Sequence, residues 1–165
     1  MKKINLLKIL LIINCSLLIT NCSSNGDCNQ TLAVSLGVDF YCTEFDITQD
    51  QFVSKTLNDT LTIYGLDNDS LLANDKYISE IQLPLKPFFN QTTYIFERKH
   101  LSPDTITFTY ENEQNFISLE CGCLVFHRIT DVEHTFYNID SVAVINNFAA
   151  NTQTKNIRIY FKNSR

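Results

Sequence analysis

Short runs of alternating apolar and polar residues constrain the fold of this chain more than any other feature. Thr105-Ile106-Thr107-Phe108-Thr109-Tyr110 and Asn156-Ile157-Arg158-Ile159-Tyr160-Phe161 each place every second side chain on one face of an extended strand. Aromatic and β-branched residues fill such runs, while glycine and proline are scarce and lie between them. No long 3.6-residue period occurs. The sequence therefore predicts an all-β protein whose strands have one buried and one solvated face.

Turn-forming residues separate these runs at short intervals, as in Asp67-Asn68-Asp69 and Glu111-Asn112-Glu113. Many short strands at regular spacing favour a single antiparallel β-sandwich, immunoglobulin-like in the loose sense, and a small closed β-barrel is the alternative. The sequence also allows one helical turn, within Ser70–Tyr77, as the exception to this all-β prediction. The predicted strands are Leu32–Tyr41, Gln51–Leu57, Thr60–Gly65, Ile78–Leu85, Thr92–Arg98, Asp104–Glu111, Asn115–Glu120, Leu124–Ile129, His134–Asn138, Asp140–Asn146 and Asn156–Phe161.

The first residues have the form of a bacterial lipoprotein signal peptide. Three lysines precede an apolar run from Ile9 to Ile19, which is too short and too interrupted to span a bilayer. Ile19-Thr20-Asn21-Cys22 then has the form of a lipobox, in which the cysteine is acylated and becomes the new N-terminus. A weaker lipobox ends at Cys15 and would leave a shorter apolar core. We therefore expect lipidation at Cys22.

This signal divides the chain into three parts: a signal peptide (1–21), a lipidated polar tether (22–30) and one β-sandwich domain (31–165). Removal of the three lysines of the signal peptide takes the formal net charge from −5 to −8. A chain this acidic lacks the basic surface of a nucleic-acid-binding protein. We expect contact with a membrane through the N-terminal lipid and no nucleic-acid partner.

Five strand-like segments, in a specific order along the chain, carry a resemblance to a known family. They are Ile81–Leu85, Asp104–Ile106 with Tyr110, Phe116–Gly122, Ile139–Val142 and Asn156–Tyr160. From about Thr60 onward, the chain resembles an uncharacterised family of β-rich envelope lipoproteins of the Bacteroidota that carry a domain of unknown function. The resemblance implies an envelope lipoprotein with a β-rich domain, and it brings no activity.

The lipobox also resembles those of the Bacteroidota, because an asparagine precedes its cysteine. In that phylum, an acidic stretch after the cysteine commonly directs lipoproteins to the cell surface. Residues 23–27 contain one acid, Asp27. We therefore expect a cell-envelope lipoprotein on the outer membrane that faces the periplasm.

Four cysteines stay in the mature chain besides Cys22, and an even number in an oxidising compartment predicts two disulfides. Cys121 and Cys123 lie two residues apart on a predicted strand, at the upper limit of disulfide geometry. We therefore expect Cys28 and Cys42 each to pair with one of them, in either combination. Such bridges would close loops of roughly 80 to 95 residues and stabilise the fold.

Two chemical functions of Cys121-Gly122-Cys123 compete with this structural role. A thiol–disulfide redox pair usually lies at a helix N-terminus, whereas this segment lies in a strand-like run. A zinc or copper site would combine the two cysteines with His127 and His134. Exported thiols tend to oxidise, and structural zinc ligands usually lie on turns, so we favour disulfides and assign no metal ligand.

The pattern of aspartate, then serine or threonine, then an aliphatic residue recurs with Thr60, Ser70, Thr105 and Ser141 as the hydroxyl residues. It resembles the acceptor signal of the O-glycosylation system of the Bacteroidota, which modifies exported proteins. An aspartate that ends a turn before a strand produces the same pattern with no modification. Both interpretations stay open for these four residues.

No phosphate-binding loop, nucleophile elbow, zinc-protease helix or calcium loop occurs in the sequence, and no cofactor is indicated. We therefore expect a non-catalytic, lipid-anchored module that contacts another envelope component, such as an outer-membrane protein. The competing hypothesis is a ligand-binding, metal-binding or thiol redox protein that uses the segment around Cys121 and Cys123.

Overall fold

A computed structural model describes residues 33–66, 71–119 and 121–163. Within these ranges the secondary structure consists of β-strands, and no helix there has the length and apolar character needed to cross a membrane. The strands are β1 (Ser35–Asp46), β2 (Gln51–Thr56), β3 (Thr60–Gly65), β4 (Leu71–Tyr77), β5 (Glu80–Pro84), β6 (Gln91–Arg98), β7 (Asp104–Ser118), β8 (Gly122–His134), β9 (Ile139–Val144), β10 (Phe148–Ala149) and β11 (Lys155–Phe161).

The strands form two sheets that pack face to face. Sheet A has the order β2-β1-β11-β9, and β5 pairs with the first half of β1; sheet B has the order β10-β8-β7-β6-β3-β4. Neither sheet closes on itself in the described part of the chain. The predicted all-β sandwich is therefore confirmed, and the closed barrel is wrong.

Alternation along the strands builds the core, as the sequence predicts. Phe40 of β1 packs between Phe96 of β6 and Phe161 of β11, with ring centroids 6.2 Å and 6.1 Å away. Residues from both sheets are fully or almost fully buried around these rings: Leu36, Val38, Leu61, Ile63, Leu83, Ile106, Phe108, Tyr110, Ile129, Ile139, Ile157 and Ile159. This burial is the main driving force for closing the two sheets on each other.

The first and last described strands, β1 and β11, run parallel in the middle of sheet A. Their backbones approach so closely that a Cβ on Gly37 would lie 2.0 Å from the carbonyl oxygen of Thr154. The buried Asn156 side chain accepts a hydrogen bond from the Gly37 N–H (3.1 Å) and donates to the carbonyls of Asn146 (3.0 Å) and Phe148 (2.9 Å). One side chain thus joins β1, β11 and the connection between β9 and β10.

The direction of β1 distinguishes two ends of the sandwich. The upper end holds the start of β1 and the loop between β5 and β6; the lower end holds the turn after β6 and the loop between β8 and β9. At the lower end, Arg98 contacts the Asp59 carboxylate through Nε (2.8 Å) and Nη2 (2.7 Å), and its Nη1 donates to the Lys162 carbonyl (2.9 Å). Arg98 thereby ties sheet B, through its bond to Lys162, to the chain that follows β11.

Beyond Tyr110, β7 and β8 continue as an arm at the upper end, because the pairing of β6 with β7 ends at Thr109. The short strand β10 pairs with the base of this arm at His127 and Arg128. The sequence predicted a turn at Glu111-Asn112-Glu113, and that prediction is wrong. Arg128 of β8 donates to Glu113 (2.9 Å), a cross-strand contact that favours the extended form. The hairpin turn lies farther along, next to Gly122, whose φ is +72°.

Two other local predictions are also wrong. Leu71–Tyr77 forms strand β4 instead of a helical turn, because the free edge of β3 offers it backbone partners and Ala73 packs opposite Ile63. The predicted strand His134–Asn138 is the end of β8 followed by a loop.

That loop is organised by one buried carboxylate, Asp104. It accepts hydrogen bonds from the Thr135 hydroxyl (2.7 Å) and from the backbone N–H groups of Tyr137 (2.8 Å), Asn138 (2.7 Å) and Ile139 (3.1 Å). A carboxylate that accepts several backbone bonds can satisfy orphan donors that no strand partner reaches. Asp104 therefore sets the path from β8 of sheet B into β9 of sheet A.

We expect Asp104→Asn to lower the free energy of unfolding by about 2–4 kcal/mol, because the amide presents a donor to groups that are themselves donors. Urea denaturation followed by circular dichroism measures this change. Asp131→Asn is the matched control, since Asp131 is exposed on β8 and should shift stability by less than about 0.5 kcal/mol. Equal effects from the two substitutions would contradict the role of Asp104.

Candidate functional site

Two of the cysteines predicted to form disulfides, Cys42 and Cys123, are free thiols. Cys42 lies opposite Phe161, near the lower end, whereas Cys123 lies opposite Phe116 in the arm. Phe116 is twelve residues along β7 from its lower end, which corresponds to roughly 40 Å. Cystine Cα atoms must lie within about 7 Å. The predicted pairing of Cys42 with Cys121 or Cys123 is therefore wrong.

The other two cysteines leave part of the prediction open. Cys121 lies in the turn of the arm and is not a free thiol, and Cys28 lies outside the described residues. Since Cys123 is free, Cys121 and Cys123 do not form the disulfide that a redox pair would need. A bridge between Cys28 and Cys121 stays a prediction.

The histidines do not join these cysteines in a metal site. Cys123 and His127 border one open cavity of about 310 Å³ at the upper end. Four residues of strand separate their Cα atoms by about 13 Å, too far for both side chains to reach one ion. The Nδ1 of His127 lies 2.7 Å from Asn112 Oδ1, and burial lowers the pKa of His127. No group of three or more metal-ligating side chains occurs within the described ranges.

The predicted O-glycosylation residues differ in exposure. Ser141 is exposed on β9, an edge strand of sheet A, whereas Thr60 and Thr105 are half-buried where β3 and β7 begin. Ser70 lies outside the described residues. Asp104, which precedes Thr105, has a structural role in the β8–β9 loop. The structure therefore makes Ser141 the most accessible of the three described candidates.

The outer face of sheet A carries a cluster that the sequence analysis did not single out. Side chains alternate along a strand, so Asp39 and Tyr41 of β1 point away from the core, as do Arg158 and Tyr160 of β11. The parallel register pairs Asp39 with Arg158 and Tyr41 with Tyr160. We call these four residues the sheet-A cluster.

The two tyrosines hold the arginine of this cluster along the sheet surface. The rings of Tyr41 and Tyr160 stack with centroids 5.6 Å apart and planes 30° apart. The Arg158 guanidinium lies 5.7 Å from the centroid of the Tyr41 ring, a cation–π arrangement. Arg158 is thereby directed toward the aromatic pair, and no ion pair joins it to Asp39 in the described part of the chain.

Asp39 is 4% exposed, yet only one of its two carboxylate oxygens has a hydrogen-bond partner among the described residues. Its Oδ1 accepts a hydrogen bond from Lys155 Nζ (2.9 Å), which raises the pKa of Lys155, and Lys155 also contacts Glu80 (3.4 Å). Its Oδ2 is buried with no hydrogen-bond partner among the described residues, and so is Nε of Arg158. Buried charged groups with unpaired atoms are costly and uncommon, so this pair of atoms calls for a partner that supplies both a donor and an acceptor.

The reactivities of the two free thiols test the exposed position of Cys123 in the arm and the buried position of Cys42. We expect Cys123 to react with an aromatic disulfide reagent at least about tenfold faster than Cys42, because burial and the nearby Glu44 carboxylate raise the pKa of Cys42. The rate of thiol release from the native protein is the measurement. Cys123→Ser should remove the fast phase and Cys42→Ser should leave it. A fast phase that persists in Cys123→Ser would contradict the assignment.

Comparison with known proteins places most of this architecture in one family. The family of unknown function DUF6452 matches residues 60–161, which run from β3 through β11 and include Arg158 and Tyr160 but not Asp39 and Tyr41. No curated protein and no solved structure matches the chain. The resemblance predicted from about Thr60 onward, to a family with a domain of unknown function, is confirmed at that level. Because the match covers more than half of its residues, the chain belongs to the family of unknown function DUF6452.

Proposed function

We propose that the protein is a non-catalytic binding module, anchored to the bacterial cell envelope by lipid at Cys22, that contacts another envelope component. The sheet-A cluster supports binding, because the directly paired residues Asp39 and Arg158 each carry a buried polar atom with no hydrogen-bond partner among the described residues. A small number of polar groups that converge near aromatic rings is typical of recognition sites. The sequence supports the location, through the lipobox and through the resemblance to Bacteroidota envelope lipoproteins.

The position at which the described chain begins is compatible with a lipid anchor at Cys22. The described chain begins at the upper end, where the arm and the β5–β6 loop carry the exposed side chains of Phe88, Phe116 and Leu119. Ten residues separate Cys22 from residue 33, and such a segment spans at most about 35 Å. A lipid at Cys22 would therefore hold the upper end close to the membrane and leave the outer face of sheet A open to the envelope.

We expect Cys22→Ala to move the protein from the membrane fraction into the soluble fraction, because the acyl chains supply the anchor. Mass spectrometry of the mature N-terminus should find a diacyl- or triacylglyceryl cysteine in the parent protein. Cys15→Ala is the matched control, since it removes the weaker lipobox and should change neither result. A mature N-terminus elsewhere, without lipid, would refute the anchor.

O-glycosylation at Ser141 is part of the same proposal, supported by the exposure of this residue on an edge strand. For protein isolated from its native cells, we expect Ser141→Ala to lower the intact mass by a glycan in addition to the lost hydroxyl. Thr105→Ala should change the mass by its side chain alone, because Thr105 is half-buried at the start of β7. An unmodified parent mass would exclude modification at Ser141.

A further inference from the structure

We propose that the sheet-A cluster binds the hydroxyl groups of a pyranose ring, so that the envelope component recognised by this module is a saccharide. The inference deepens the proposed function and rests on it for the setting in which the saccharide is met. The site comprises Asp39, Arg158, Tyr41 and Tyr160, bordered by Lys155 and Glu80.

The two unpaired atoms determine the kind of group that fits. Asp39 Oδ2 is an acceptor and Arg158 Nε carries a donor hydrogen, and the register places them on directly paired residues. A hydroxyl group donates one hydrogen bond and accepts others, so one hydroxyl or two neighbouring ones can satisfy both atoms. A group that only donates, or only accepts, would leave one of the two unpaired.

The charges around the cluster argue for a neutral ligand. Asp39 and Glu80 contribute two negative charges, and Lys155 and Arg158 contribute two positive ones. A metal cation would meet the guanidinium and the ammonium, and a phosphate or carboxylate would meet the two carboxylates. Neither sign of ion gains a favourable local field here.

The aromatic pair supplies the apolar contact that a sugar ring requires. Tyr41 and Tyr160 are half-buried, so part of each residue faces solvent. A pyranose has one or two faces of C–H groups beside its hydroxyls, and tyrosine combines an apolar ring with a polar tip. The cluster therefore matches both the polar edge and the apolar face of a sugar.

Two exposed side chains border the buried Asp39 carboxylate. Lys155 and Glu80 lie beside Asp39 with side chains that are 61% and 68% exposed. Exposed ion pairs of this kind contribute little to stability, so a ligand can displace their contact at small cost. With the ligand bound, both carboxylate oxygens of Asp39 would have a hydrogen-bond partner.

Two sources of saccharide are compatible with this geometry. Ser141 of β9 lies opposite Tyr160 in the register of sheet A, so a glycan attached to Ser141 would lie beside the cluster. A glycan of another envelope molecule would meet the same face from solution. The chemistry of recognition is the same for both sources, and the variant Ser141→Ala separates them.

The test uses the mature lipidated protein in a zwitterionic detergent without sugar, produced in a heterologous bacterium. The probes are the methyl glycosides of glucose, galactose, mannose, rhamnose and N-acetylglucosamine. The chain has no tryptophan, and Tyr41 and Tyr160 are two of its seven tyrosines, so tyrosine fluorescence includes a signal from the cluster. Titration calorimetry provides an independent affinity. We expect at least one probe to bind, and Asp39→Asn and Arg158→Lys each to weaken it by about tenfold or more.

Asp131→Asn is the control for the loss of a carboxylate, because Asp131 is exposed on the other sheet and should leave binding unchanged. Thermal unfolding distinguishes the roles of Asp39. A ligand site predicts that the Asp39→Asn variant is about as stable as the parent, whereas a purely structural carboxylate predicts lost stability and no sugar-dependent difference. If none of the probes binds, or if both cluster variants bind like the parent, the proposal is overturned.

Protein isolated from the native cells shows which of the two sources supplies the saccharide. If only the Ser141→Ala variant from those cells binds added sugar, the cluster is occupied by the protein's own glycan; if the parent binds as well, the saccharide comes from another molecule. Either result supports saccharide recognition. Failure of sugar binding would leave the membrane release of Cys22→Ala unchanged, so it would not count against the anchor.

Discussion

The parallel pairing of β1 with β11 is the constraint on which the rest of the structure depends. β1 bonds to β11 along one edge and to β5 and β2 along the other, so it holds sheet A together. The close approach at Gly37 leaves no room for a side chain, and Asn156 uses both ends of its amide to close the junction. Because side chains alternate, a slip of one residue would exchange Asp39 with its core neighbours. The register of this pair therefore decides both the core and the outer face.

The alternation of apolar and polar residues predicted correctly those strands whose bounds depend on nearby residues alone. The bounds of β3 agree with the sequence prediction, and those of β2, β6 and β11 differ by one residue at most, because alternation and nearby turns define them. The arm could not be predicted in this way. Glu111-Asn112-Glu113 is polar enough for a turn, but its backbone and Glu113 find partners on β8. β4 likewise depends on the free edge of β3, a partner that the local sequence does not reveal.

Only half of the candidate site is visible in the sequence. The alternation of β11 places Arg158 and Tyr160 on a solvated face, whereas Asp39 resembles any exposed aspartate until its neighbours on three strands are known. The predicted bridge from Cys42 failed for a related reason. Counting residues indicates how many bridges are possible, but the strand directions place Cys42 and Cys123 at opposite ends of the sandwich. The number of residues between two cysteines does not reveal the end of the sandwich at which each of them lies.

The union of the first and last strands has a kinetic consequence. Gly37 and Lys155, which face each other at the start of the parallel pair, are separated by most of the domain's length, and such distant contacts form slowly. A chain still emerging from the ribosome lacks β11, so β1 has no central partner and sheet A cannot be completed. Completion of sheet A is thereby postponed until β11 has emerged. An unfolded chain is the form that threads through a secretion channel, so this topology would suit the export that the proposed envelope location requires.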